Sequence, residues 1–314
     1  METPKLPNIN PESNPPKHEN RERVPLVEKL KSVMSRVAQE VNREVKERYG
    51  LEGLVDESLH IDPAQFAREK GGTYDEADIF DDEGAIYAQD RFNCSADDVG
   101  VQEFYKKEYG IETPEGIVAK HREKKDASKS NQAEMIITAL LHKVLKERFL
   151  VVRSAVYDDY NHGMDNLILD KETGAVICAF DEVLENQGDR ERGANKKIEK
   201  IKRVAIKGGT EAKYGIALKD EVLTRAHVRN VPVFYLTLES KDLIELTDQL
   251  FKNNPDIAEA EAKLFAHLVG SIKEQKEILQ KLNLPATMKR SLDSFENSLT
   301  VLEGYISKSV TAVV

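Results

Sequence analysis

Residues Val176, Ile177, Cys178, Ala179 and Phe180 form an unbroken apolar run that ends on Asp181 and Glu182. A strand with no polar alternation is the mark of burial on both faces, and so of an α/β core rather than a solvent-facing sheet. The flanking sequence fits that core. A helix is expected from about Gln132 to Arg148, rich in Met135, Ile136, Ile137, Leu140, Leu141, Val144 and Leu145. Strands follow at Leu150–Tyr157, Asp165–Asp170 and Ala175–Val183, the last two joined by a tight turn at Lys171-Glu172-Thr173-Gly174. A loop with Gly188 and Gly193 leads to a lysine-rich helix at about Asn195–Lys207, and Val231–Leu238 is another apolar strand. The order is αβββαβ over residues 131–240: an α/β (α+β) fold with a mixed central sheet. Its last two strands, joined through a helix, should be parallel with a right-handed crossover.

A chain of 314 residues exceeds one such core, on a prior of roughly 100–200 residues per domain. Residues 1–23 carry five prolines and almost nothing apolar, and read as a disordered tail. In residues 24–130 the spacing of Leu26, Leu30, Val33, Val37, Val41 and Val45 predicts one long amphipathic helix capped by Gly50. Short helices are expected near Pro63–Lys70 and Gly100–Tyr109, an acidic loop at Asp75–Gly84 (its spacing does not match an EF-hand) and a basic linker at His121–Lys129. Residues 241–314 read as helices only, at Lys241–Lys252, Asp256–Leu282 and from Pro285 onward. Packing or homodimerisation is the expected use of their apolar stripes.

The bulk numbers exclude several classes. No apolar run approaches the ~20 residues that span a bilayer, so no membrane partner is expected. The N-terminus lacks a basic-then-apolar leader. Two distant cysteines, Cys94 and Cys178, rule out a disulfide scaffold and a Cys-rich zinc site. A cytoplasmic location is the resulting expectation. No Walker loop, GxSxG elbow, HExxH or dinucleotide fingerprint is present.

Acidic residues punctuate the core at Glu134, Asp165 and Asp181. In a meander the entry of strand two faces the exit of strand three, so Asp165 and Asp181 can point into one space. Two anionic groups there repel unless a divalent cation neutralises them, and Mg²⁺ (or Mn²⁺) takes such one-or-two-carboxylate sites. A bound Mg²⁺ polarises a phosphoryl oxygen and lowers the pKa of water. Each residue also has a plainer reading. Asn131 and Glu134 fit a capping box, Asp181 and Glu182 a strand ending in solvent, and Asp165 a hairpin edge. His162 fits a metal ligand, a proton shuttle or a loop residue, and His142 a structural histidine or a support for the site.

This arrangement of elements and motifs resembles the PD-(D/E)XK nuclease superfamily, the restriction-endonuclease-like fold, over about Asn131–Glu239. The resemblance implies a metal-dependent nuclease of DNA or RNA. Glu134 would be its helix glutamate, Gly163-Met164-Asp165 its aspartate motif and Phe180-Asp181-Glu182-Val183 its third motif. Asp165 and Asp181 would hold the metal. Val183 stands where that family places a catalytic lysine. Some members move the lysine to the following helix, where Lys196 and Lys197 are the candidates. Without it, the resemblance implies a nuclease-fold binding or scaffold module.

Residues 189–213 hold nine basic against four acidic side chains in a chain of net charge −10. Arg190, Arg192, Lys200 and Arg203 are the residues expected to meet a nucleic-acid backbone; a solvated helix with internal ion pairs is the alternative.

Overall fold

The computed structural model of the chain describes residues 24–67, 76–185, 190–219 and 222–311; the expected N-terminal tail lies outside them. Helix α1 (Leu26–Tyr49) follows the expected stripe, burying Leu30, Val33, Val37, Val41 and Val45, and Gly50 ends it in the left-handed conformation. A short α2 (Pro63–Ala67) leads to a helical group: α3 (Glu76–Asn93), α4 (Val99–Tyr109) and α5 (Pro114–Asp126). Two expectations are corrected here. Over its described residues the acidic stretch is helix, not loop, because its carboxylates find partners: Asp82 takes the Lys213 ammonium and the Tyr214 hydroxyl, and Asp90 takes Arg122 and Tyr160. The basic linker is likewise helix, since Thr113 caps α5 and Pro114 opens it.

The core follows as α6 (Lys129–Leu145), β1 (Phe149–Arg153), α7 (Val156–His162), β2 (Asn166–Asp170), β3 (Val176–Glu185), α8 (Arg190–Ile206), β4 (Thr210–Lys219), β5 (Val222–Val231) and β6 (Val233–Glu239). The sheet order is β1-β2-β3-β6, antiparallel except for the parallel β3–β6 pair. The mixed α/β sheet is therefore as expected. Two insertions were not: the seven-residue helix α7 between β1 and β2, and the antiparallel hairpin β4–β5 between α8 and β6. Strand β1 consequently ends at Arg153 and not at Tyr157.

Helices α9 (Leu243–Lys252), α10 (Glu259–Gln280) and α11 (Ala286–Thr311) close the chain. They and α1 share one hydrophobic core with the sheet, from Leu30 and Val41 through Phe180 and Phe234 to Phe265 and Phe295. A smaller cluster of Ala96, Tyr105, Ile117 and Val118 holds α3–α5 together. Among the described residues, no helix is long and apolar enough to cross a membrane.

Strand β6 lies at the sheet edge, and α10 covers it. Gln275 accepts from the Tyr235 N–H at 2.8 Å and donates to the Tyr235 carbonyl at 2.7 Å, replacing the absent fifth strand at that residue. Replacing Gln275 by Leu leaves both peptide groups buried and unpaired, at about 1–3 kcal/mol each. Urea denaturation of Gln275→Leu should show a loss of roughly 2–5 kcal/mol against wild type; an unchanged midpoint would mean that water replaces the side chain there.

Candidate functional site: a buried carboxylate cluster

The chain arrives at the site through a short, forced path. The Asp165 N–H donates to the Phe180 carbonyl at 2.8 Å, which fixes Asp165 at the mouth of β2 beside the end of the apolar run. The Glu182 N–H then donates to Asp165 Oδ2 at 2.6 Å. Strand alternation turns Asp181 and Glu182 to opposite faces. The carboxyl that acts most closely on Asp165 from β3 is that of Glu182; Asp181 goes to Lys200 of α8.

Glu182 is almost wholly buried at 4% exposure. Its Oε1 accepts from Asn166 Nδ2 at 2.5 Å, and Asn166 Oδ1 lies 2.9 Å from the Thr138 hydroxyl on α6. Its Oε2 meets no N–H or O–H donor. The remaining neighbour is the Asp165 carboxyl, so one proton or one cation has to stand between the two. Burial, then the Asp165 charge, pushes Glu182 well above the usual carboxylate range. Burial and the nearby Glu134 push Asp165 up to about 8.

Glu134 does not cap its helix. Ser128 does, accepting from the Asn131 N–H, and the capping-box reading is corrected. Glu134 instead accepts from Arg153 Nη2 at 2.8 Å; the same nitrogen donates to Asn131 Oδ1 at 3.0 Å. Burial still raises Glu134 above its ordinary pKa despite Arg153. Asp159, on the unexpected helix α7, completes the cluster. Burial raises its pKa, and its carboxyl lies near that of Asp165.

Asp181 pairs with Lys200, whose ammonium sits 2.5 Å from Asp181 Oδ2. Burial opposes the lysine's charge, but the hydrogen bond and charge of Asp181 outweigh it and hold Lys200 at about 12. The amine passes over Gly163, where a Cβ would stand 3.3 Å from Nζ; Gly163 also caps α7 at φ 62°. Tyr235, opposite Asp181 in the β3–β6 register, is pushed up to about 12 by burial and by Asp181, and its hydroxyl keeps its proton.

The lysine expectation therefore moves. Lys196 is exposed, Lys197 sits 6.0 Å over the Tyr235 ring, and Lys200 is the residue that reaches a carboxylate of the site. Arg203 is exposed and turns to the Glu199 carbonyl of its own helix. The Arg190 and Arg192 side chains lie outside the described residues. His162 binds Asp158 at 2.8 Å and stands 3.8 Å from Glu211, away from the cluster. His142 lies 3.5 Å from Glu40 of α1 and belongs to the packing there.

Among the described residues, no group of three or more His, Cys, Asp or Glu side chains is set out to hold a metal ion. The donor set still fits a hard divalent cation of the kind that takes one or two carboxylates and completes its shell with water. Glu182 Oε2 is a buried acceptor without a donor. Glu134, Asp159, Asp165, Asp181 and Glu182 stand against Arg153, Lys200 and Lys125, an excess of two acids over bases. Two protons or one dication balance that excess.

The protonated carboxyls fix a sign for stability. Asp165 is raised from 3.8 to about 8, so the folded state holds a proton that the unfolded state gives up in that range. Its contribution is full below the unfolded value and is lost as pH rises towards 8. Asp165→Asn keeps the shape and removes this titration. The variant's melting temperature should gain on wild type as pH rises from 4 to 8; parallel pH profiles would show that Asp165 is ionised throughout.

No protein-family model, curated protein or solved structure matches this chain.

Proposed function

We propose that the chain is a metal-dependent phosphodiesterase acting on nucleic acid, with its lysine supplied by α8. The observation that carries this reading is the Lys200–Asp181 contact of 2.5 Å beside the buried Asp165–Glu182 pair. Val183 had favoured a binding module without cleavage. Lys200 fills the chemical place that Val183 leaves open, on the element to which the resemblance allows the lysine to move.

Asp165 and Glu182 are the side chains that would hold the cation, because they are in contact and Glu182 Oε2 has no other donor. When bound, a divalent ion would neutralise both carboxyls and polarise a phosphoryl oxygen. The chain's own residues do the rest. Asn166, held against Thr138, fixes the Glu182 carboxyl. Arg153 holds Glu134, so that a third carboxylate stands near without collapsing onto Asp165. Asp181 keeps Lys200 protonated and aimed, placing a fixed positive charge where negative charge grows on a phosphoryl group. The Tyr235 hydroxyl, protonated at neutral pH, lies beside Lys200 as a second donor.

Lys200→Met should lower Mg²⁺- or Mn²⁺-dependent cleavage of a labelled oligonucleotide by about 10²–10³, the usual loss for one charge-stabilising donor, whereas Lys196→Met should stay near wild type. Adding Val183→Lys to Lys200→Met should restore part of the rate, since Val183 shares a strand face with Asp181. In calorimetry, Asp165→Ala and Glu182→Ala should each abolish the heat of Mn²⁺ binding. Full cleavage by Lys200→Met would sink the assignment of the lysine; absence of any cleavage or metal heat in wild type would return the chain to the binding-module reading.

A further inference from the structure

The site so far is built from the core alone, but a second lysine reaches it from the N-terminal helical group. Lys125 stands at the last turn of α5, and its ammonium lies 3.9 Å from the centre of the Tyr160 ring on α7. Its position is fixed on three sides. Asn131 donates to the Asp126 carbonyl at 2.7 Å and Gln132 to the Ala127 carbonyl at 2.9 Å, locking the end of α5 onto the start of α6. The Tyr160 hydroxyl donates to Asp90 Oδ1 at 2.7 Å, and Arg122, one turn before Lys125, donates to Asp90 Oδ2 at 2.6 Å. Asp90 is 1% exposed, so this anchor between α3, α5 and α7 is a buried one.

The neighbours of Lys125 are the carboxylates of the site. Asp159 adjoins Tyr160 in sequence, and the charge of Lys125 acts on both Asp159 and Glu134. Among the described residues its partner is the Tyr160 side chain; an ammonium has three N–H donors, so from its exposed side Lys125 can take a further acceptor. Lys200 stands on the Asp181 side of the same cluster. A phosphodiester chain carries a negative charge at every residue, so cations on two sides of a hydrolytic centre suit the phosphates on either side of the bond cut.

We infer that Lys125 is a substrate-positioning residue, receiving a backbone phosphate next to the one that reacts, and that α3–α5 form one wall of the nucleic-acid site. The inference rests on the phosphodiesterase reading. Its test uses the full chain and a fluorescein-labelled single-stranded oligonucleotide, with and without its complement. Binding is followed by anisotropy over a salt series and cleavage by initial rates. Lys125→Gln should weaken binding several-fold, lower the slope of log affinity against log salt by about 1, and raise KM more than it lowers kcat. Lys125→Arg should recover most of the affinity, and Lys289→Gln, at an exposed turn of α11, should keep the wild-type slope.

A Lys125→Gln protein that folds with the wild-type melting temperature and keeps the wild-type slope and KM overturns the role of Lys125 while leaving the phosphodiesterase reading intact. Equal losses in Lys125→Gln and Lys125→Arg also overturn it, because they make the residue a packing element. A wild-type chain that neither binds nor cleaves the oligonucleotide overturns both readings together.

Discussion

The contact between Asp165 and Glu182 is the constraint on which the rest of the core depends. Two carboxyls are placed where β2 begins and β3 runs on, against the buried end of an apolar strand. Such a pair is costly unless something shares its charge. The surroundings are arranged to limit that cost without removing it. Asn166, held by Thr138, satisfies one oxygen of Glu182, Arg153 draws Glu134 aside, and Lys200 takes Asp181. One oxygen is left over. Apolar residues of like volume at both positions would avoid that cost, so the pair stands as an exception to the packing around it.

Holding that pair in place explains features that look unrelated along the chain. Helix α7 is only seven residues long, yet it delivers Asp159 and Tyr160 and ends on Gly163, the one residue type that gives both the left-handed turn and room for the Lys200 amine. The start of α7 is tied down by Asp158, fully buried, which accepts from the Lys213 and Tyr214 N–H groups of β4. The β4–β5 hairpin thus braces the site from outside the main sheet. Gln275 does the same for β6, and with it for Tyr235 across from Asp181.

The apolar strands and the long helices were legible because burial writes itself as continuous or periodic apolar residues. Val176–Phe180 and the stripe of α1 leave little choice of structure. What escaped was structure stabilised by specific polar contacts. Val156–His162 has no apolar period and no capping side chain, and is helical because of where Asp158 is anchored. The hairpin strand Val222–Val231 interrupts its apolar positions with Arg225, His227 and Arg229, so no continuous apolar run marks it as a strand. The spacing Asn131 to Glu134 satisfied a capping pattern, but Ser128 sits three residues before Asn131 and captures the same donor first. For the lysine, a readable signal did exist. Ile201 and Ala205 mark the buried stripe of α8, and Lys197 and Lys200, one turn apart, flank that stripe; Lys196 does not.

Val183 is best understood from the same packing. It lies on the face of β3 that carries Asp181, half-buried and packed against the main core. A lysine at that position would put a charge in place of a side chain packed against the core, at a cost in stability even where its amine reaches Asp181. A lysine on α8 itself approaches from the solvent side, with about half of its side chain exposed, and still reaches the same carboxylate. With the cation on the helix, the strand keeps an apolar residue at 183 while the charge arrives at Asp181, and the position of that charge depends on the docking of α8 against β6.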